Sequence, residues 1–173
     1  MLGVERNTVR LEPYNEQWEE LFQKTQLELL QSLGTDVIDV QHIGSTAIKG
    51  IVSKPILDIA VILNEPDAIN FDKMAEQGYV YCGEAGVSGR YFFAKYRNGN
   101  LSTHHIHCYK PDNQNLWEVI AFRDYLTDHP DYATQYNDLK LHLAQTYPKD
   151  RVRYTNEKTA FIKMVVNLVH LST

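Results

Sequence analysis

Short stretches of the chain are apolar, or alternate apolar with polar side chains, and end at turn-forming residues, a pattern that predicts β-strands. The predicted strands cover residues 9–14, 37–43, 56–63, 79–82, 90–96 and 101–109. The first is a short edge strand that ends at Pro13. Asn98-Gly99 separates the last two stretches and favours a tight hairpin between them.

Apolar residues with helical spacing predict α-helices in most of the remaining chain. Between residues 15 and 33, for example, Trp18 and Phe22 fall on one face. Other helices are predicted at 65–77, 116–126, 131–147 and 155–171, together with a short one that begins near Ala47. The pattern predicts an α+β fold in a single domain, residues 1–173. A sheet-bearing core occupies about residues 1–110 and a C-terminal helical unit about 111–173.

Composition narrows the class of protein. The 173 residues are 43% hydrophobic, and their net charge of −5 disfavours general nucleic-acid binding held by charge. The start of the chain lacks the apolar segment of a signal peptide. No apolar run approaches the roughly 18 residues of a membrane span. The two cysteines, Cys82 and Cys108, are isolated, as in proteins of a reducing compartment. These features predict a cytoplasmic protein without membrane contact.

A polar turn followed by an apolar strand is the first candidate for function. Gly44 permits a tight turn, and the hydroxyls of Ser45 and Thr46 are placed to cap a short helix. Exposed amides at such a turn favour an anion such as phosphate. Asp58 is the single charge in the strand that follows. A buried carboxylate is costly unless it is paired or binds a metal, so Asp58 is a candidate functional residue.

Two histidines in a later strand form the second candidate. His105 and His107 lie two residues apart, so their side chains share one face of the predicted strand. Imidazole is a good ligand for transition metals, and this spacing allows both rings to bind one ion. A packing or hydrogen-bonding role explains the same spacing, and the residues alone leave both interpretations open.

The chain resembles the GrpB family in the motifs HIGSTA at 42–47 and KPILDI at 54–59. That family consists of small bacterial proteins related to the nucleotidyltransferase superfamily. In the superfamily a Gly-Ser turn positions a nucleoside triphosphate, and carboxylates on nearby strands hold two magnesium ions. The resemblance implies a nucleotidyltransferase-like fold, with a mixed or antiparallel sheet, flanking helices and a C-terminal helical unit. The chain departs from the pattern at Ala60, where a second carboxylate is expected, and at Lys49, where the family usually has proline.

The family also shows a similar pair of histidines, on the strand where a nucleotidyltransferase places its third carboxylate. We therefore expect Asp58, His105 and His107 to face one cleft beside Gly44 and Ser45 and to be metal ligands. This set lacks the full number of hard oxygen ligands that magnesium prefers. Three alternatives follow: magnesium completed by oxygens of the nucleotide, a softer ion such as manganese or zinc, or no metal.

Four cationic residues match positions of the family and suit phosphate. Arginine makes forked contacts with phosphate, whereas lysine supplies a point charge. For each residue alone a surface salt bridge is the alternative. Together they would line a path for a triphosphate. In this hypothesis Lys54 and Arg90 stabilise the leaving pyrophosphate, while Lys140 and Lys158 bind the substrate together with the Gly44-Ser45-Thr46 turn.

The sequence thus predicts a nucleotidyltransferase-like protein that binds a nucleoside triphosphate with a divalent metal. One alternative is a non-catalytic nucleotide or cofactor binder on the same fold. Another is a metal-dependent phosphoesterase that uses Asp58, His105 and His107. Ala60 separates the first two hypotheses, because the loss of one of two adjacent carboxylates weakens a two-metal mechanism.

Overall fold

The computed structural model describes residues 1–172, which form six β-strands and six α-helices. The strands are β1 (Val4–Glu5), β2 (Val37–Ile43), β3 (Leu57–Leu63), β4 (Tyr79–Tyr81), β5 (Tyr91–Arg97) and β6 (Leu101–Tyr109). The helices are α1 (Gln17–Leu33), α2 (Phe71–Glu76), α3 (Gln114–Asp128), α4 (Pro130–Thr146), α5 (Arg151–Glu157) and α6 (Thr159–Ser172). Short 3₁₀ turns cover Gly34–Asp36, Ser45–Ala47 and Pro66–Ala68.

The six strands form one mixed sheet in the order β2-β3-β6-β5-β4, with β1 paired to β6. Only β3 and β6 are parallel neighbours among the described strands, and the remaining pairs are antiparallel. This parallel pairing sets Asp58 beside His105 and Ala60 beside His107. The predicted α+β fold with a mixed sheet and flanking helices is confirmed.

The central strand β3 is buried on one face by α1 and α2. Leu57, Ile59, Val61 and Leu63 share that face and are at most 1% exposed. They pack in one cluster with apolar side chains of the helices, among them Trp18. Burial of such side chains stabilises the fold by about 1.5–3 kcal/mol each. Because side chains alternate along a strand, Asp58 lies on the opposite face, toward the C-terminal helices.

The C-terminal helices pack around a separate apolar cluster. It contains Phe122 and Leu126 of α3, Tyr136 of α4 and Val165 of α6, together with Ile48 from the segment after the Gly44 turn. The segment between β2 and β3 is therefore fixed against the C-terminal helices. A cleft forms where the sheet, this segment and α4–α5 meet.

The prediction of a strand at 9–14 is wrong. Within it Glu12 makes one isolated antiparallel bridge, to Ser53, and the amide of Val9 donates to the carbonyl of Pro148 (2.9 Å). The segment therefore pairs with the residues around Ser53 and Pro148 instead of joining the sheet. The edge strand beside β6 is Val4–Glu5, which the sequence pattern missed.

Two helix predictions also need correction. The helix predicted at 65–77 is a 3₁₀ turn followed by the shorter α2, whose N-terminus is capped by the side chain of Asn70. The helix predicted at 155–171 begins earlier, at Arg151, and is interrupted at Lys158. Asp150 caps its first turn by accepting from the amide of Arg153 (3.0 Å), which explains the earlier start.

Among residues 1–172, no helix has both the length and the apolar character needed to cross a membrane. Both cysteines are free thiols: Cys82 is exposed and Cys108 is buried in the sheet.

Candidate functional site

A tight turn at Gly44 forms one wall of the site. Gly44 has φ +69°, a backbone conformation that glycine adopts far more easily than other residues. A Cβ at this position would lie 2.7 Å from Oδ2 of Asp58. Two features therefore require glycine at position 44: the backbone conformation of the turn, and the close approach of the backbone to the Asp58 carboxylate.

The predicted capping role of Ser45 and Thr46 is wrong. The 3₁₀ turn begins at Ser45 and has no side-chain cap. The hydroxyl of Thr46 is instead buried, 2.9 Å from Nε2 of His42, and donates to the carbonyl of Ile56. His42 stacks on Phe22, and burial lowers its pKa to about 4. The neutral His42 ring and Thr46 together fix the turn against β2 and β3.

Asp58, His105 and His107 lie together on the face of the sheet that carries the site. Oδ1 of Asp58 is 3.0 Å from Nδ1 of His105 and 3.5 Å from Nε2 of His107. The parallel register of β3 and β6 is the cause, because it sets Asp58 directly beside His105. One side-chain atom from each residue lies within 4.8 Å of the others, a spacing that can hold a metal ion.

The protonation of this cluster follows from its surroundings. Burial opposes the charge on Asp58, but the hydrogen bond with His105 and the close approach of His107 hold the pKa of its carboxyl well below the usual range. Burial lowers the pKa of His107, although its contact with Asp58 acts in the other direction. The cluster therefore contains an ionised carboxylate and at least one neutral imidazole, two forms suited to a metal ion.

Two arginines contact the outer nitrogens of the histidines. Nη1 of Arg90 lies 3.1 Å from Nδ1 of His107, and Nη2 of Arg151 lies 3.4 Å from Nε2 of His105. A guanidinium is only a donor, so these contacts require the outer nitrogens to accept. In a neutral imidazole the inner nitrogen then carries the hydrogen and faces Asp58. The arginines thus favour hydrogen bonds to Asp58 over the lone pairs that a metal ion needs.

The three side chains are close enough together to bind one metal ion. In the present arrangement, however, the histidine nitrogens that face Asp58 carry hydrogens and offer no lone pair to a metal. Nε2 of His107 is buried and has no hydrogen-bond partner among the described residues, because its 3.5 Å contact with Asp58 lacks the geometry of a hydrogen bond. Such an unsatisfied buried nitrogen is costly and is expected to gain a partner when the site is occupied.

A pocket of about 340 Å³ opens beside this cluster. Asp58, whose side chain is 33% exposed, is the one carboxylate among its described lining residues. The full lining consists of Gly44, Ser45, Thr46, Lys54, Ile56, Asp58, His105, Tyr136, Lys140, Arg151, Tyr154, Thr155 and Lys158. Four of these are lysine or arginine, so the pocket favours an anion.

Two tyrosines hold the lysines of the pocket. The Nζ atoms of Lys54 and Lys158 lie 5.3 and 4.6 Å from the ring centre of Tyr154. Lys140 is 1% exposed; its Nζ lies 4.8 Å from the ring centre of Tyr136 and donates to the carbonyl of Val52. Burial and neighbouring positive charge lower the pKa values of Lys54 and Lys140 to about 7. The charge of this pocket therefore changes near neutral pH.

The structure brings eight of the ten predicted site residues to this pocket. They are Gly44, Ser45, Thr46, Lys54, Asp58, His105, Lys140 and Lys158. His107 lies behind Asp58, and Arg90 lies beyond His107, where it lines a different groove. Arg90 is held there by the carbonyls of Glu84 and Ala85, 3.1 and 3.0 Å away.

Arg151 is the functional candidate that the sequence prediction missed. It lines the pocket with Tyr154, Thr155 and Lys158. These four residues have the spacing i, i+3, i+4, i+7, which places side chains on one face of a helix. The signal was present in the sequence, but the predicted helix began at residue 155 and excluded Arg151.

Ala60 occupies the position of the absent second carboxylate. It is 0% exposed and packs in an apolar cluster with Ile43, Tyr109 and Leu116. A carboxylate at this position would need a partner, and apart from His107 on the adjacent strand its surroundings are apolar.

Comparison with known proteins identifies relatives of this chain. Residues 8–167 match the family model described as "GrpB protein". The chain is 39% identical over 173 residues to "Glutamate-rich protein GrpB" of Alkalihalophilus pseudofirmus, covering 96% of this chain and 99% of the relative. It is 38% identical to "UPF0157 protein YqkA" of Bacillus subtilis, covering 87% of this chain and 44% of the relative.

Solved structures show the same fold. "Conserved protein GrpB from Enterococcus faecalis" matches with a TM-score of 0.86 and 36% identity, over 92% of this chain and 96% of that one. The Cid1 poly(U) polymerase with MgGTP bound matches with a TM-score of 0.52 and 14% identity, over 77% of this chain and 44% of that one. At that identity the second match shows a nucleotidyltransferase-like fold and nothing about the reaction.

Proposed function

This chain belongs to the GrpB family, and we propose that its pocket binds a nucleoside triphosphate together with a divalent metal, as a nucleotidyltransferase-like protein. The proposal rests on a cationic pocket that lies directly beside the cluster of Asp58, His105 and His107. Lys54, Arg151 and Lys158 supply positive charge in a pocket whose single described carboxylate is Asp58. Asp58 in turn contacts both histidines of the adjacent strand.

The cationic residues would bind the phosphates. Lys54, Lys158 and Arg151 line the pocket, and none of them forms an ion pair with a carboxylate among residues 1–172. Their charge is thus available to a triphosphate. Phosphoryl transfer depends mainly on such placement of positive charge around the reacting phosphate. Lys140 contributes indirectly, because its ammonium is committed to the carbonyl of Val52.

Asp58, His105 and His107 would hold the metal ion. Two imidazoles and one carboxylate suit manganese or zinc, whereas magnesium would need further oxygens from the nucleotide. A bound ion would polarise a phosphoryl oxygen. The protein's part is to position the phosphates: the Gly44 turn leaves room for them beside Asp58, since a larger residue would meet the carboxylate.

A second candidate function is a nucleotide binder without catalysis. Ala60 favours this function, because an alanine within an apolar cluster stands where a two-metal mechanism needs its second carboxylate. In either case the proposed partner is a small nucleotide rather than a nucleic acid, in accordance with the net charge of −5.

Calorimetric titration of nucleoside triphosphates tests the proposal, with magnesium, manganese, zinc or no metal. We expect metal-dependent binding to wild type and a loss of about tenfold or more in Asp58→Asn and in His105→Ala. Asp138→Asn and His142→Ala change the same residue types at exposed positions of α4 and serve as matched controls.

The outcomes separate the two functions. Binding that needs metal and is lost in both site variants supports the metal–nucleotide site. Metal-independent binding that both variants retain supports the non-catalytic binder. Failure of every triphosphate to bind under any condition would contradict both.

A further inference from the structure

A second groove with positive charge lies next to the pocket. Its volume is about 480 Å³, and Arg6, Arg90 and Arg151 line it together with the rings of Phe92 and Tyr96. Its described lining includes no carboxylate. The groove shares His105, Arg151 and Thr155 with the pocket, so the two cavities meet at the Asp58 cluster.

The guanidiniums of this groove have neutral partners. Arg6 lies over the ring of Tyr96, at 5.0 Å, and contacts its hydroxyl. Arg90 lies over the ring of Phe92, at 4.8 Å, and also contacts two backbone carbonyls, His107 and the neutral Tyr109. Among residues 1–172, none of the three arginines lies within 4.0 Å of a carboxylate oxygen. Their charge is uncompensated by a local ion pair.

The chemistry of the groove identifies the class of ligand. Several guanidiniums around one cavity provide the forked donors that match a tetrahedral phosphate. A carboxylate-free lining removes the acid that would otherwise compete for them. Phe92 and Tyr96 add an apolar wall beside the charge, as expected for an organic phosphate.

Occupation of the groove would also change the Asp58 cluster. Arg90 and Arg151 now donate to the outer nitrogens of His107 and His105, which directs the inner N–H groups to Asp58. A phosphate that recruits both guanidiniums removes those contacts. The outer nitrogens can then carry the hydrogens, and the inner nitrogens present lone pairs for a metal ion.

We propose that Arg6, Arg90 and Arg151 form a binding site for a phosphate-bearing second substrate, and that its occupation favours metal binding by Asp58, His105 and His107. That this ligand accepts the transferred nucleotidyl group rests on the proposed function. The binding site itself and its coupling to the metal do not depend on that function. By linkage, the metal ion must strengthen phosphate binding by the same factor.

The test measures Mn²⁺ binding by calorimetry with and without glycerol phosphate, a simple monoester that holds Mn²⁺ weakly in solution. Sodium chloride at equal ionic strength replaces the monoester in the control. In wild type we expect glycerol phosphate to tighten Mn²⁺ binding by about fivefold or more, a usual size for coupling between sites. In Arg90→Gln and Arg151→Gln we expect tighter Mn²⁺ binding without the monoester and little further gain on adding it.

Arg6→Gln keeps the test decisive if those variants fail to fold. Arg6 is exposed and contacts neither histidine, so its loss is expected to weaken glycerol phosphate binding and leave Mn²⁺ binding alone unchanged. Lys158→Gln changes the pocket but not the groove and is expected to retain the monoester effect. Arg153→Gln, on the exposed face of α5, controls for the loss of one positive charge.

Three results would overturn the proposal. The first is Mn²⁺ binding that glycerol phosphate leaves unchanged in wild type. The second is monoester binding that survives Arg6→Gln. The third is monoester binding that Lys158→Gln removes, which would assign the anion to the pocket and leave the proposed function intact. Conversely, a confirmed groove without any triphosphate binding would contradict the proposed function alone.

Discussion

At the scale of single residues, the site depends on one close approach between backbone and carboxylate. The Gly44 turn and Asp58 are adjacent because a glycine in this turn leaves no side chain between them. The sequence singled out each residue, as a turn-forming glycine and as the lone acid of an apolar strand, and the family resemblance implied that they lie beside one another. The sequence did not predict that the hydroxyl of Thr46 points inward to His42, because nothing in it separates this hydrogen bond from hydrogen bonds of both side chains to water.

Lys54 makes the pocket sensitive to pH. Burial, together with Lys158 and Arg151, lowers the pKa of Lys54 to about 7, so the free pocket loses positive charge as the pH rises through 7. We expect triphosphate affinity to fall by about threefold to tenfold between pH 6.5 and 8.5. Lys54→Arg keeps its charge throughout this range and should show a smaller fall, measured by calorimetric titration at each pH. Identical pH profiles for the two proteins would refute the role of Lys54.

For the two histidines among the metal-ligand candidates, the sequence predicted their positions but not their hydrogen bonding. His105 and His107 were placed on one face by the two-residue period of a strand, and their approach to Asp58 followed from the family resemblance. Which ring nitrogen carries the hydrogen could not be predicted, since that depends on contacts with Arg90 and Arg151. Those arginines reach the histidines from a loop and from a helix far apart in the chain.

At the scale of elements, α1 is joined to the sheet by a partly buried histidine of β6, His104. Nε2 of His104 lies 3.3 Å from the hydroxyl of Thr25, and Nδ1 lies 2.9 Å from that of Thr103. Burial, with the nearby Lys95 and His105, lowers the pKa of His104 to about 4. Between about pH 6.5 and pH 4, the unfolded chain therefore binds a proton at His104 that the folded protein does not, and the folded state loses stability as the pH falls.

This pH dependence is testable with one variant. We expect wild type to lose more stability than His104→Gln between pH 7 and pH 5, with a difference on the order of 1–2 kcal/mol. Glutamine does not titrate and retains hydrogen-bonding atoms for the two threonines. Urea unfolding at both pH values measures the difference. Equal losses in the two proteins would mean that His104 is protonated in the folded state as readily as in the unfolded one.

Strands bounded by turn-forming residues were predicted well, and short or capped elements were not. The bounds of β2 and β6 agree with the prediction because Gly34 and Gly44 flank the first strand, and Asn98-Gly99 and Pro111 flank the second. The two residues of β1 carry no period at all, which is why it was missed. The start of α5 depends on the Asp150 cap, and its exclusion from the predicted helix also concealed Arg151.

At the scale of the whole molecule, the pocket requires both halves of the chain. The sheet supplies Asp58 and His105, whereas α4 supplies Lys140 and α5 supplies Arg151, with Lys158 directly after its end. The apolar cluster that joins Ile48 to Phe122 holds the two halves in contact. Composition and periodicity predicted both halves, but not how they meet, because contacts between distant segments leave no local pattern in the sequence.

The most direct test of the central claim is pulsed electron paramagnetic resonance of Mn²⁺ bound to the protein with ATP as the single source of phosphorus. Hyperfine couplings report the nuclei that surround the ion. We expect couplings to ¹⁴N of the imidazoles and to ³¹P of the triphosphate in the same complex, because His105 and His107 lie beside Asp58 at the edge of the cationic pocket. Coupling to ³¹P without ¹⁴N would contradict the account, because the ion would then be held by the nucleotide and not by the histidines.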